Sequence, residues 1–182
     1  MAEAMPIMIY GDTVYLRALE FTDLAQLLTW RNKPEFRRYF RETRELNWEQ
    51  QKAWFFSKCV NDPQTRMFAI VRHEDNKLLG ACGLCYIDWV NGSADFSIYI
   101  GHDDHYLDDQ YAPAAAELLK SHAFLDLRLH RLWAEVYSFD KKKQAFFEKI
   151  GFKVDGVHPQ TTWHGGVWHD SVYFSLISDK EQ

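Results

Sequence analysis

Leu129-His130-Arg131-Leu132-Trp133-Ala134-Glu135-Val136-Tyr137 leads into Asp140-Lys141-Lys142-Lys143-Gln144-Ala145-Phe146-Phe147-Glu148-Lys149-Ile150-Gly151-Phe152. The first part reads as an apolar strand, the second as a short helix, and Phe152 opens another strand. Gly151 fits the end of that helix, because the left-handed turn there strains any residue with a Cβ and spares glycine.

Working outward, residues 13–18 alternate as a strand, and a helix follows through Leu24, Leu27, Leu28 and Trp30, with Thr22 or Asp23 placed to cap it. A second helix spans residues 47–60, with Trp48, Ala53, Trp54, Phe55 and Cys59 at helical spacing. Asn47 is its N-cap, and Gln50 stands in the capping-box position. Residues 67–72, 78–88 and 94–100 are strands separated by short turn-prone segments, hence an antiparallel meander. A helix over 112–126 follows, and after the quoted block strands 152–157 and 167–177 close through His164-Gly165-Gly166.

The 182 residues suit a single domain, with residues 1–10 expected outside the ordered fold. With 26 acidic against 21 basic residues, net charge −5, the chain lacks the basic footprint of a nucleic-acid binder and favours a cationic partner such as an amine. Three cysteines and an N-terminus without a basic, then apolar, run imply neither disulfides nor secretion, so a cytoplasmic protein is expected. No apolar run approaches the ~20 residues of a membrane span.

The quoted block resembles the closing half of the GNAT superfamily of acetyl-CoA-dependent N-acyltransferases, where a helix ending in aromatic-Glu-Lys-x-Gly-Phe lies beside the cofactor. With the element order, the resemblance covers about residues 13–177 and implies an α+β GNAT fold, a central mixed, mostly antiparallel sheet of about seven strands flanked by helices. Arg17, Asp23, Trp30-Arg31-Asn32, Trp54, Gly80 and Ile87-Asp88-x-x-Asn91 look like the RimJ/RimL-like branch and the nucleotide-amino-sugar N-acetyltransferases. In those relatives the Trp30, Arg31 and Asn32 segment borders the acceptor pocket, where a guanidinium could hold a carboxylate or phosphate bidentately. Without the resemblance, Arg31 simply offsets the dipole at a helix C-terminus.

The resemblance also assigns a site. Backbone groups of Ile98 and Ile100 meet the pantetheine of acetyl-CoA, the co-substrate. A turn of pattern Arg/Gln-x-x-Gly-x-Gly/Ala cradles its diphosphate, as bare amides at a helix start do. Here the turn is Leu107-Asp108-Asp109-Gln110-Tyr111-Ala112, and Ala112 alone keeps the pattern. Read by themselves, Asp108 and Asp109 cap the following helix. Lys141, Lys142 and Lys143 could supply the missing positive charge, or form a solvated run. Asp140 takes the place of an Asn that hydrogen-bonds pantetheine, and a carboxylate accepts but does not donate. Phe147 stands where relatives keep a Tyr near the departing sulfur, which leaves Tyr137 or a water as proton donor. Asp95 and Glu135 are the candidate bases; alternation puts Asp95 with Ser97 and Tyr99 on one face of its strand.

Cys82-x-x-Cys85 lies in a strand that points its thiols to opposite faces, and the His-x-x-His and His-x4-His spacings lack further ligands, so no metal is expected. The reading is an N-acetyltransferase acting by direct attack in a ternary complex on a primary amine: an amino-sugar nucleotide first, then a protein or peptide N-terminus or a small amine. The rival is a non-catalytic binding protein on the same fold, motivated by Leu107, Gln110 and Phe147. No nucleic acid and no membrane partner is expected, and a homodimer is left open.

Overall fold

The computed structural model describes residues 8–178, which form one eight-stranded sheet flanked by helices. The expected seven strands gain one at the N-terminal edge. β1 (Met8–Tyr10) pairs antiparallel with β2 (Val14–Ala18) around a turn closed by Gly11 N–H to the Val14 carbonyl at 3.0 Å. Residues 8–10, expected outside the fold, are therefore in it, and residues 1–7 lie outside the described residues.

A single 3-10 turn (Phe21–Asp23) leads into α1 (Leu24–Arg31). Asp23 does not cap α1 through its side chain; its carboxylate takes both Arg17 Nη atoms at 2.7 Å and the Glu20 N–H at 2.9 Å. That buried pair fixes the helix entry against β2. α2 (Pro34–Arg37), a single turn started by Pro34, was not expected. Proline suits it because the missing N–H is one that a helix's first turn leaves unused anyway. α3 (Trp48–Trp54) has the expected capping box, Asn47 to Gln50 N–H and Gln50 back to Asn47 N–H, both 2.9 Å, and widens into a π-turn segment to Val60.

β3 (Arg66–Arg72), β4 (Leu78–Asp88) and β5 (Ser93–Ile100) form the anticipated meander, with Phe68 opposite Cys82 and Gly83 opposite Ser97. The β4–β5 turn is built by the Asp88 carboxylate, which accepts N–H bonds from Val90 and Asn91 at 3.0 and 2.9 Å. α4 (Tyr111–Ser121) carries the chain across to β6 (Arg131–Tyr137), parallel to β5. Its inner face, Ala112, Ala115, Ala116 and Leu119, is fully buried, and the three small side chains let the helix lie close on the sheet.

α5 (Lys141–Lys149) is capped by Asp140 accepting the Lys143 N–H at 3.0 Å and ends at Gly151, φ +96°, as the sequence implied. Phe146 and Phe147 both turn inward, Phe146 against Phe147 and Phe147 against Phe96, Phe152 and Phe174. β7 (Lys153–His164) and β8 (Val167–Ile177) close the sheet as a hairpin over Gly165 and Gly166, both at positive φ. β7 runs on past the expected residue 157. The full order is β1-β2-β3-β4-β5-β6-β8-β7, antiparallel except for β5–β6. Among the described residues no helix is long and apolar enough to cross a membrane.

Candidate active site

β5 and β6 pair only at Ser93–Arg131, Ala94–Leu132 and Asp95–Trp133. Beyond Asp95 they diverge, leaving one edge of β5 without a strand partner among the described residues. Gly101 N–H reaches the Leu79 carbonyl on β4, whereas Ile100 N–H points the other way, to the Tyr106 carbonyl at 3.0 Å. Because successive residues of a strand face opposite edges, the backbone of Ile98 also faces the gap. Of the two expected backbone contacts, the Ile100 donor is thus used internally, and Ile98 fronts the open edge.

The gap opens into a cavity of about 520 Å³. Of the residues singled out from sequence it brings together Asp95, Glu135, Tyr137, Asp140, Lys143 and Phe147, with Arg31 and Trp54. Trp30 and Asn32 are outside its wall. Trp30 is buried under Gly101, where an added Cβ would meet its ring at 1.9 Å. Asn32 clamps the backbone of Leu46, donating to its carbonyl at 2.8 Å and accepting its N–H at 2.9 Å. Arg31 lies 4.5 Å over the Phe40 ring and donates to the Glu42 carbonyl at 3.2 Å. Burial lowers its guanidinium pKa, opposed by Tyr99 and Glu42.

Sequence reasoning missed Arg41. Its Nη1 donates to Asp95 Oδ2 at 2.8 Å and its Nε to Glu135 Oε2 at 3.3 Å, so one side chain bridges both candidate bases. Burial works against the Arg41 charge, and the two carboxylates outweigh it, raising its pKa. Burial pushes the Asp95 carboxyl up from the ordinary carboxylate range, and Arg41 pulls it back down. The other Glu135 oxygen accepts the Ser171 hydroxyl at 2.6 Å, and Ser171 in turn meets Thr161 Oγ1 at 2.6 Å. Nothing local marked Arg41, which is 54 positions from Asp95 in a loop.

Lys143 also lines the cavity, and its Nζ donates to the Tyr106 hydroxyl at 3.0 Å. Burial lowers the Lys143 pKa, with Asp140 and Asp95 opposing and Arg41 reinforcing. Tyr106 is held well above the ordinary tyrosine value, first by burial and then by Asp140, so it stays a neutral hydroxyl. Asp140 is buried and occupied by its cap and by Tyr106. The lysine run splits three ways: Lys143 enters the cavity, Lys142 binds the Leu107 carbonyl, and Lys141 is exposed.

The turn before α4 is a cap. Asp108 Oδ1 accepts the N–H groups of Gln110 at 3.1 Å and Ala112 at 2.8 Å. Leu107 is buried, Asp109 is exposed with Lys149 3.5 Å away, and Tyr111 begins the helix and bonds Arg72. The β5 edge beside Ile98 is where the resemblance expects the pantetheine, and in the turn expected to meet the diphosphate the Gln110 and Ala112 amides are taken by Asp108.

Residues 13–153 match the model of the acetyltransferase (GNAT) domain. The chain is 30% identical over 168 residues to the spermidine N(1)-acetyltransferase of Escherichia coli (strain K12), covering 92% of this chain and 87% of that one. It is 25% identical over 184 residues to the probable N-acetyltransferase YjcK of Bacillus subtilis (strain 168), covering 96% and 100%. Its backbone matches the crystal structure of a spermidine N-acetyltransferase from Vibrio cholerae in complex with CoA and spermine, with a TM-score of 0.83, 21% identity and coverage of 92% and 96%. The chain belongs to the GNAT family of acetyltransferases, enzymes that use acetyl-CoA.

Proposed function

We propose that the chain transfers the acetyl group of acetyl-CoA to a small primary amine held in the cavity where β5 and β6 part. The observation that carries this is the pair Asp95 and Glu135, bridged by Arg41 at that split and lining the same cavity. A carboxylate at this split can take the acceptor's ammonium proton, directly or through one water. Ile98 would hold the pantetheine arm along the open edge. Acetyl-CoA supplies an activated acyl group; the chain supplies position and the proton sink.

The acceptor we propose carries an anion as well as an amine, as an amino-sugar nucleotide does. Four cations of the cavity wall, Arg31, Arg41, Arg44 and Lys143, face four acids, Glu42, Asp95, Glu135 and Asp140. A polycationic acceptor would be served by an excess of carboxylates. Among the described residues the hydrogen-bond partner of Arg31 is a backbone carbonyl, which leaves guanidinium donors for a phosphate or carboxylate. The spermidine acetyltransferases it resembles favour a polyamine instead, and a peptide N-terminus is the third candidate.

Thiol release from acetyl-CoA in the presence of each acceptor class tests the reading. Turnover with the nucleotide sugar above that with spermidine is expected. Spermidine as the better acceptor replaces the acceptor class and leaves the transfer reading standing. Absence of both heat and thermal stabilisation at millimolar acetyl-CoA would indicate a binding protein on this fold.

A further inference from the structure

Acetyl transfer from a thioester leaves a thiolate that must be protonated, and Phe147 has no proton to give. We propose that the Nζ of Lys143 is the proton donor to the departing sulfur. The inference rests on the transfer reading above.

Lys143 and Phe147 are four residues apart on α5, so both lie on one helix face, and both line the cavity. On that face the Phe147 ring meets Phe96 of β5 edge-on, with centroids 6.0 Å apart. The Lys143 ammonium has three N–H bonds and gives one of them to Tyr106, 3.0 Å away, which orients the others. Tyr106 is itself fixed, stacked on Tyr39 with ring centroids 4.6 Å apart and hydrogen-bonded to Asp140.

The groups facing Lys143 are Asp140 from its own helix cap, Asp95 from β5, Arg41 from the loop after α2 and Tyr106 from the loop after β5. Burial outweighs the two acids, so this ammonium gives up its proton more easily than an ordinary lysine. The shift is in the direction of a thiol, which makes proton transfer to sulfur easier than from an ordinary lysine. Other hydroxyls on the wall are less suited. Tyr99 is strongly disfavoured from ionising by burial, and Tyr137 is held against it by burial and by Glu135 beside it on β6.

The step balances. The acceptor nitrogen bonds the acetyl carbon, the carbon–sulfur bond breaks with its electron pair on sulfur, and Lys143 Nζ gives sulfur a proton and becomes a neutral amine. The acceptor ammonium gives one proton to the acids at Asp95 and Glu135 before attack, and the nitrogen loses a second as the amide forms. Passed through solvent, one of these two protons recharges Lys143 and the other is released, which resets the site.

Two measurements test it. The first is 13C NMR of the lysine ε-methylenes in the free protein, with Lys143 assigned by Lys143→Arg. A titration midpoint below the ordinary value of about 10.4 is expected, and an unshifted midpoint overturns the proposal. The second compares the parent with Lys143→Met and with Lys143→Arg, which keeps the charge and a bond to Tyr106 but holds its proton.

Both variants should lose about 100-fold or more in kcat with acetyl-CoA, with KM for acetyl-CoA changed less than about threefold. The loss should shrink with an acetyl ester of a more acidic aryl thiol, whose thiolate leaves without help, and Phe147→Tyr added to Lys143→Met should recover turnover. An equal loss with both donors, or a fully active Lys143→Arg, overturns the proposal. A parent inactive with every donor and acceptor removes the transfer reading instead, a result distinct from an active parent with unaffected variants.

Discussion

Arg41 Nη1 lies 2.8 Å from Asp95 Oδ2, joining a loop to the strand at the point where the sheet splits. The arginine side chain is 46% exposed and the aspartate 8%, so the carboxylate is the partner that depends on the pair. Arg41→Gln leaves burial of Asp95 opposed by Lys143 alone. Its pKa should then rise further. If the ionised carboxylate takes the acceptor's proton, the acidic limb of kcat/KM moves to higher pH. A pH profile of parent and variant reads this directly, and an unmoved acidic limb would place the proton sink elsewhere.

Arg31→Ala should act on the acceptor side. Loss of a charge-assisted bond of about 1.5–3 kcal/mol raises KM for an anionic acceptor roughly 10- to 100-fold. KM for acetyl-CoA should stay within about threefold. The Phe40 ring beneath the guanidinium stays in place, and melting temperature reports any loss from the missing stacking. Equal effects on both substrates would make Arg31 a packing residue.

How much the sequence disclosed follows from how local each feature is. The capping box at Asn47 and Gln50, the turn at Gly151 and the three-strand meander are each set by residues a few positions apart, and all were readable; the cap at Asp140 was not read, because the resemblance had assigned that side chain to the pantetheine. β1 was not, because three residues with no pattern of their own become a strand only by pairing with β2 across Gly11. The outer half of β7 was hidden for a different reason: Pro159 and a positive φ at Gln160 break its alternation, and it is exposed on both faces. At the site, the acids on β5 and β6 were legible because strand position places them. Arg41 was not, since the ion pair joins a loop to a strand far along the chain. Lys143 was read as charge for a diphosphate, and only the helix orientation shows that it enters the cavity.

Gly101→Ala tests the packing under the site. The added Cβ would approach the Trp30 ring to 1.9 Å, and the ring is buried against the core. Overpacking of this kind costs about 1–3 kcal/mol. Urea denaturation should show a lower midpoint at unchanged slope. Because Trp30 immediately precedes Arg31, KM for the acceptor should also rise. A variant as stable as the parent would mean that α1 shifts freely against the β5 terminus.

Asp108→Gly separates a structural cap from a diphosphate cradle. In the parent, one carboxylate oxygen accepts the Gln110 and Ala112 amides, the donors a diphosphate would use, and adds a negative charge to the turn. Removing it frees both donors at the N-terminus of α4, where an anion is favoured. It also removes the cap, costing up to about 1 kcal/mol of stability, and adds loop flexibility. CoA should therefore bind the variant more tightly by calorimetry, by a margin that shrinks as salt rises. Pantetheine, which has no phosphate, should bind both proteins alike. Adding Gln110→Gly should extend the gain by clearing its side chain from the turn. If the variants melt lower and neither ligand gains, Asp108 is a helix cap alone, and affinity for CoA comes from the β5 edge and the lysines of α5.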